Sequence, residues 1–178
     1  MDLWTELNSR TKTERPIEMG KQINKTNAMR QLDSAGIEYE CAEYEYDESD
    51  LSGEHAAAEL GVSEDEMFKT LVTRGDNNLL SVFVIPVACE LDLKKAAVAS
   101  GNKKIEMIHV KEINDLTGYL RGGCSPIGMK KQYPTYIDET AIMFDKIYFS
   151  AGRRGMQIIL DPNILVEFIN AKLCDLTK

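Results

Sequence analysis

The sequence predicts an α+β fold: a single domain with a mixed, mostly antiparallel, barrel-like β-sheet flanked by helices. Three observations predict it. Strand patterns outnumber helical ones, they cluster after residue 67, and the connections between them are short and hairpin-like. A doubly wound parallel sheet is excluded, because each parallel pairing would need a long crossover helix between strands. With 178 residues, 43% of them apolar, the chain has enough to bury one core without disulfide staples.

The elements follow in order. Residues 1–23 show no hydrophobic period and contain Pro16 and Gly20, so they are expected to be a loose arm or added leader, with the folded domain spanning 24–178. N-K-T-N-A-M-R-Q-L-D-S-A-G reads as a helix with Asn24 or Thr26 as N-cap and Gly36 as its stop. Ile37 to Tyr46 alternates apolar and acidic residues, the mark of a strand with one wet face. Gly53 to Leu60 is a short helix closed by Gly61. Met67 to Pro86 is a hairpin turning on G-D-N-N. Asp92 caps the helix L-K-K-A-A-V-A-S, stopped by Gly101; K-K-I-E-M-I is a short strand, and Lys111 to Leu116 a helical turn. P-T-Y-I-D, K-I-Y-F-S-A and M-Q-I-I-L are strands, the last two joined by G-R-R-G. Asp161 and Pro162, as N-cap and first-turn proline, start a helix that runs through N-I-L-V-E-F-I-N-A-K.

Composition narrows the function classes. No apolar run approaches the roughly eighteen residues a membrane span needs, and the N-terminal stretch is too charged for a signal peptide. The expectation is a soluble, cytoplasmic protein with no membrane partner. Cys41, Cys89, Cys124 and Cys174 are far apart and form no CxxC or Cys/His cluster, so reduced thiols, no metal and no cofactor are expected. Net charge is -8, but unevenly spread: residues 94–154 carry eleven Lys plus Arg against six Asp plus Glu, whereas 31–68 carry thirteen acids and no Lys or Arg. A basic face able to attract phosphate fits that segment, and so do ordinary solvated lysines.

Three stretches carry candidate chemistry. Lys69, in M-F-K-T-L, sits in an alternating strand that fixes which face its amine takes; it is either a solvent-facing lysine or a fixed cation for a carbonyl or phosphate. T-G-Y-L-R-G-G-C-S-P-I-G-M-K-K, Thr117 to Lys131, packs four glycines, a proline, a cysteine and three cations into fifteen residues. Such a loop is either a plain turn or a cradle of backbone N–H groups for an oxyanion or phosphate, and its spacing matches neither a P-loop nor a dinucleotide fingerprint. Cys124 within it would need a base to act as a nucleophile, and the only histidines are His55 and His109. S-A-G-R-R-G, Ser150 to Gly155, adds a hydroxyl, backbone donors and the guanidinium groups of Arg153 and Arg154.

Taken in this order, F-K-T-L, L-D-L-K-K-A-A, K-K-I-E-M, G-Y-L-R-G-G-C-S-P-I-G-M-K-K and S-A-G-R-R-G resemble the YbaK/EbsC family of aminoacyl-tRNA deacylases, from about Thr26 to Asp175. The resemblance implies a trans-editing enzyme that hydrolyses cysteine mischarged on proline tRNA, with Cys-tRNA(Cys) as a further substrate. It implies the aminoacylated CCA end of tRNA and prolyl-tRNA synthetase as partners, and no DNA. Alternatives are a deacylase of the same family for alanine or serine esters, or a non-catalytic tRNA-end binder.

By the same resemblance Lys69 is required for activity, and Gly122 and Gly123 border the pocket as expected oxyanion donors. Ser150, Gly152, Arg154 and Gly155 form its second turn. Tyr44 lines it, with Tyr46 the other match, and Thr70 and Ser125 join as expected substrate contacts. Lys130, Lys131 and Arg153 are the expected tRNA contacts. The chain departs from its relatives in Y-D-E-S-D-L-S-G, where they often have histidines, and at Gln157, where many have Asp. An aminoacyl ester is already activated, so positioning and charge stabilisation suffice without a protein nucleophile.

Overall fold

The computed structural model describes residues 24–178, so the expected leader at 1–23 lies outside the described residues. Helix α1, Asn27–Ser34, is capped by Thr26, whose hydroxyl accepts from the Met29 N–H at 3.2 Å, and it buries Ala28, Met29 and Leu32. Strand β1 is only Glu40–Glu43, shorter than the Ile37 to Tyr46 alternation suggests. Its one partner, β7 (Met156–Leu160), begins opposite Glu43, so the alternation runs on without a ladder to join.

Helix α2, Gly53–Leu60, starts at the Ser52 hydroxyl and stops at Gly61 in the left-handed conformation. Strands β2, Phe68–Gly75, and β3, Leu80–Pro86, form the expected hairpin. Helix α3, Leu93–Ser100, is capped by Asp92 and stopped by Gly101, both as the sequence predicts. Strand β4, Ile105–Met107, leads through a 3-10 turn at Val110–Glu112 into α4, Ile113–Thr117. Strand β5 is Thr135–Asp138, and a 3-10 turn at Glu139–Met143 precedes β6, Ile147–Ser150.

Helix α5, Pro162–Phe168, is shorter than expected: Asn170 takes φ +51°, a left-handed residue that ends the helix, and the chain continues as β8, Lys172–Cys174. The sequence reading carried the helix on to Lys172, the first residue of that strand.

The strands form two sheets, ordered β1-β7-β6 and β4-β2-β3-β5-β8. Pairings β1–β7, β6–β7, β2–β3 and β2–β4 are antiparallel; β3–β5 and β5–β8 are parallel. The mixed, mostly antiparallel arrangement is therefore as expected, but the barrel-like closure is not. The sheets touch at an isolated Met67–Tyr148 bridge and do not close, because β8 and β4 end the larger sheet without pairing with the smaller one.

The principal core lies between the sheets, where Phe68, Val72, Val82 and Val84 meet Phe149, Ile158, Leu160 and the apolar side of α1. A second cluster of Phe83, Ile85, Ala96, Ala97 and Leu176 seals the far face of the larger sheet under α3. A third, of Ala56, Ala57, Met67, Val87, Tyr148 and Ile159, packs α2 onto the junction of the two sheets. That third cluster brings Met67, which directly precedes β2, together with Tyr44 and Ile159 of β7.

Candidate active site

The 117–131 loop and the 150–155 turn are built against each other. Gly123 lies so close to the turn that a Cβ there would meet the Arg154 nitrogen at 3.1 Å and the Arg153 carbonyl carbon at 3.3 Å. Arg154 Nε donates to the Arg121 carbonyl at 2.9 Å, a second tie between the same two segments. Tyr119 holds them from within. Its hydroxyl donates to the Ile127 carbonyl, its N–H donates to the Thr117 hydroxyl, and its ring rests on Gly152, where a Cβ would sit 2.7 Å from Cε1. Gly152 has φ +98°, so that contact and the backbone both call for glycine. Its N–H donates to the Ser150 hydroxyl at 3.2 Å.

The remaining expected residues divide. Gly155 faces the Tyr44 carbonyl and the Tyr46 ring, and the Tyr44 N–H donates to the Gly155 carbonyl at 2.9 Å, so β1's extension is fastened to the turn. Gly122 lies against Leu51 with φ +81°, and its N–H has no protein acceptor among the described residues. Gly123 differs from the expectation of a second oxyanion donor: its N–H is spent on the Leu120 carbonyl at 2.9 Å inside the tight turn. Ser125 is fully buried and its hydroxyl accepts from the Ile127 N–H, so it shapes the loop and does not face a substrate.

Lys69 lies opposite Ile85 on β2, sharing its face of the sheet with Leu71. Among the described residues it has no hydrogen-bond or ion-pair partner. Its charge reaches the turn after β3: it opposes the burial that pushes the Cys89 thiol up, and it adds to Lys178, which hydrogen-bonds Glu90, in holding that carboxyl below its ordinary range. Thr70 points to the opposite face, toward Phe68 and Val72, and its hydroxyl oxygen is buried without a partner. The two halves of the site meet at α2. A Cβ on Gly53 would lie 2.2 Å from Val87 Cγ1, just beyond β3, while Leu51 two residues earlier touches Gly122. Sequence reasoning missed Leu51, Val87 and Tyr119; only Tyr119, set between Gly118 and Leu120 at the loop's entry, carried a usable signal.

Cys124 is not placed as a nucleophile. Burial pushes its thiol up to about 12, with a Thr117 hydrogen bond only partly opposing this. Neither histidine acts on it: His55 lies 3.9 Å from Asp50 and His109 sits beside Glu112. Gln157 pairs across the smaller sheet with Ser150 and Ala42, and its side-chain carbonyl oxygen is buried without a partner.

The expected tRNA contacts also separate. Lys130 Nζ donates to the Asp115 carbonyl and Arg153 to the Asn24 carbonyl, so both cations fasten backbone. Lys131 is exposed and unpaired among the described residues. No group of three or more His, Cys, Asp or Glu among the described residues is arranged to hold a metal, and no helix there is long and apolar enough to cross a membrane.

The described residues form an α+β domain in which the 117–131 loop and the 150–155 turn pack together, with the Gly122 N–H unspent and the Cys124 thiol kept protonated by burial, while Lys69 stands unpaired on β2. The model of the aminoacyl-tRNA editing domain matches residues 49–168, and the chain belongs to that family; as a member it is an enzyme, an aminoacyl-tRNA deacylase. It is 49% identical over 157 residues to EbsC of Enterococcus faecalis, a protein named as a Cys-tRNA(Pro)/Cys-tRNA(Cys) deacylase, covering 88% of this chain and 96% of that one. It is 30% identical over 106 residues to the proline–tRNA ligase of Shouchella clausii, covering 60% of this chain and 18% of the ligase. A crystal structure described as a trans-editing enzyme for prolyl tRNA synthetase shares the fold at a TM-score of 0.76 and 24% identity, over 85% of this chain and 95% of that one.

Proposed function

We propose that this deacylase clears cysteine from mischarged proline tRNA, working in trans beside prolyl-tRNA synthetase in the cytoplasm. The observation that carries the reading is the contrast between Cys124 and Lys69. The loop's one thiol is held protonated to about 12, whereas Lys69 has no partner among the described residues and is free to meet a ligand. A site without its own nucleophile suits an ester whose attacking group is supplied by the substrate. The likeness to EbsC over nearly the whole chain favours cysteine as that substrate's amino acid.

In this reading the cysteinyl sulfur attacks its own carbonyl carbon and the bond to the ribose oxygen breaks. The thiol proton ends on the released ribose hydroxyl, leaving a cyclic thioester that water opens. The Gly122 N–H and Lys69 stabilise charge on the carbonyl oxygen and the terminal phosphate. Tyr44 and the Ser150–Gly155 turn fix the aminoacyl group. A preorganised donor of this kind contributes about 3 kcal/mol, on the order of a hundredfold in rate. Specificity then comes from chemistry: a pocket distinguishes one methylene by only ~1–3 kcal/mol, whereas serine and alanine lack the reacting sulfur altogether.

The test is deacylation of proline tRNA charged with cysteine, alanine or serine. The reading expects turnover of the cysteinyl ester and rates near the uncatalysed background for the other two. Faster turnover of the alanyl or seryl ester would move the enzyme to another specificity within its family.

A further inference from the structure

Beside the site, on the far side of the 117–131 loop, two adjoining recesses of about 510 and 260 Å³ share Gln31 and Phe168 and form one open groove between α1, the end of α5 and residues 126–135. Its lining has a consistent chemistry. Arg30 and Lys131 are exposed cations with no partner among the described residues, no Asp or Glu lines either recess, and the Phe168 ring lies where the two meet. In a protein of net charge -8, a groove of that composition is selected by charge for an anionic strand.

The walls are held open by contacts that do not use the two cations. Asn27 donates its side-chain amide to the Gly128 carbonyl at 2.9 Å, and Gln132 donates to the Ile169 carbonyl at 3.0 Å. The groove also adjoins the site through packed residues. Gly128 presses against both Asn27 and the Tyr119 hydroxyl, and the Tyr119 ring rests on Gly152 in the 150–155 turn. The groove and the 150–155 turn are therefore neighbours on either side of one packed wall, and a strand whose end lies against that turn would cross the surface of that wall to reach the groove.

We propose that this groove binds the phosphate backbone of the RNA strand immediately upstream of the esterified nucleotide, with Arg30 and Lys131 as its phosphate contacts. The inference rests on the deacylase reading above, and it relocates tRNA contact from Lys130 and Arg153, which fasten backbone, to the opposite wall of the loop.

The experiment uses the full chain and two readouts. The first is fluorescence anisotropy of a labelled, uncharged acceptor-stem RNA with its single-stranded 3′ end, titrated across salt concentrations. The second is deacylation of cysteinyl-tRNA(Pro) alongside cysteinyl-adenosine, a minimal ester with no upstream strand. Arg30→Ala/Lys131→Ala should weaken RNA binding by about tenfold or more and flatten its salt slope by about 1.4, since two fewer phosphate contacts mean fewer counterions released on binding, about 0.7 for each contact. It should raise KM for the charged tRNA by a similar factor, leave kcat within about twofold, and leave the minimal ester untouched. Lys94→Ala, removing an exposed cation on α3, should change none of these. Unchanged RNA affinity in the double variant, or an equal loss in Lys94→Ala, overturns the groove. RNA binding that depends on Arg30 and Lys131 in a protein that hydrolyses neither ester would uphold the groove and remove the deacylase reading instead.

Discussion

The 117–131 loop is tied back into the protein at every turn, whereas Lys69, near the start of β2, has no partner at all among the described residues. The loop's fastenings are internal: Tyr119 to Ile127, Gly123 to Leu120, Arg154 to Arg121, Gly128 against Asn27. Each fixes backbone, so damage there costs stability first and activity through misplacement. Among the described residues Lys69 fastens no backbone, so in the proposed reading damage there costs activity with little loss of stability. In the proposed mechanism the two regions divide the work: the loop holds position as a stiff cradle, and Lys69 is the free charge kept for the ligand.

The largest expected effect tests the free side of that contrast. Lys69→Ala should lower kcat/KM on the cysteinyl ester by on the order of a hundredfold, while its urea midpoint stays at the wild-type value. A matching loss of stability would show that Lys69 is structural and erase the contrast.

The next tests the tied side. Tyr119→Phe keeps the ring on Gly152 but leaves the Ile127 carbonyl without its donor, which should cost about 1–3 kcal/mol in urea unfolding. Activity should fall with it, most visibly in KM, as the two segments loosen.

A smaller effect follows from protonation. Burial raises Cys124 and Tyr119 to about 12 each, above their ordinary values of 9.0 and 10.0. The folded state therefore holds these protons after the unfolded chain has released them. Stability is full below pH ~9 and falls as pH rises from there toward ~12. Unfolding followed between pH 8 and 11 should show that decline, and Cys124→Ala should make it shallower; an unchanged slope would mean the thiol is solvated.

The smallest effect concerns Arg154→Ala, which removes a largely exposed bond to the Arg121 carbonyl. A loss of about 1 kcal/mol or less is expected by the same unfolding measurement.

Much of this architecture was legible because local chemistry fixed it. Gly61 closes α2, and Asp92 and Gly101 bound α3, at the residues the sequence predicts, and the G-D-N-N turn set the β2–β3 hairpin. What failed was set at long range or by a quieter signal. β8 is three residues of parallel pairing to β5, invisible as a pattern, although Asn170 offered a helix stop that was overlooked. β1 ended early because its partner did, and nothing in its own alternation says so. In the site, the glycines announced a tight loop, but not which N–H groups it leaves free. Gly123's is consumed by Leu120 and Gly122's is not, a distinction made by the turn's closure and not by residue type. Ser125 likewise reads as a surface hydroxyl until packing buries it.

The most direct measurement compares single-turnover release of cysteine from cysteinyl-tRNA(Pro) by wild type, Lys69→Ala and Cys124→Ala at pH 7. The account predicts that Cys124→Ala keeps the wild-type rate within a few-fold while Lys69→Ala falls by about a hundredfold. Loss of release in Cys124→Ala, in a protein that still folds, would make the buried thiol the nucleophile and contradict it.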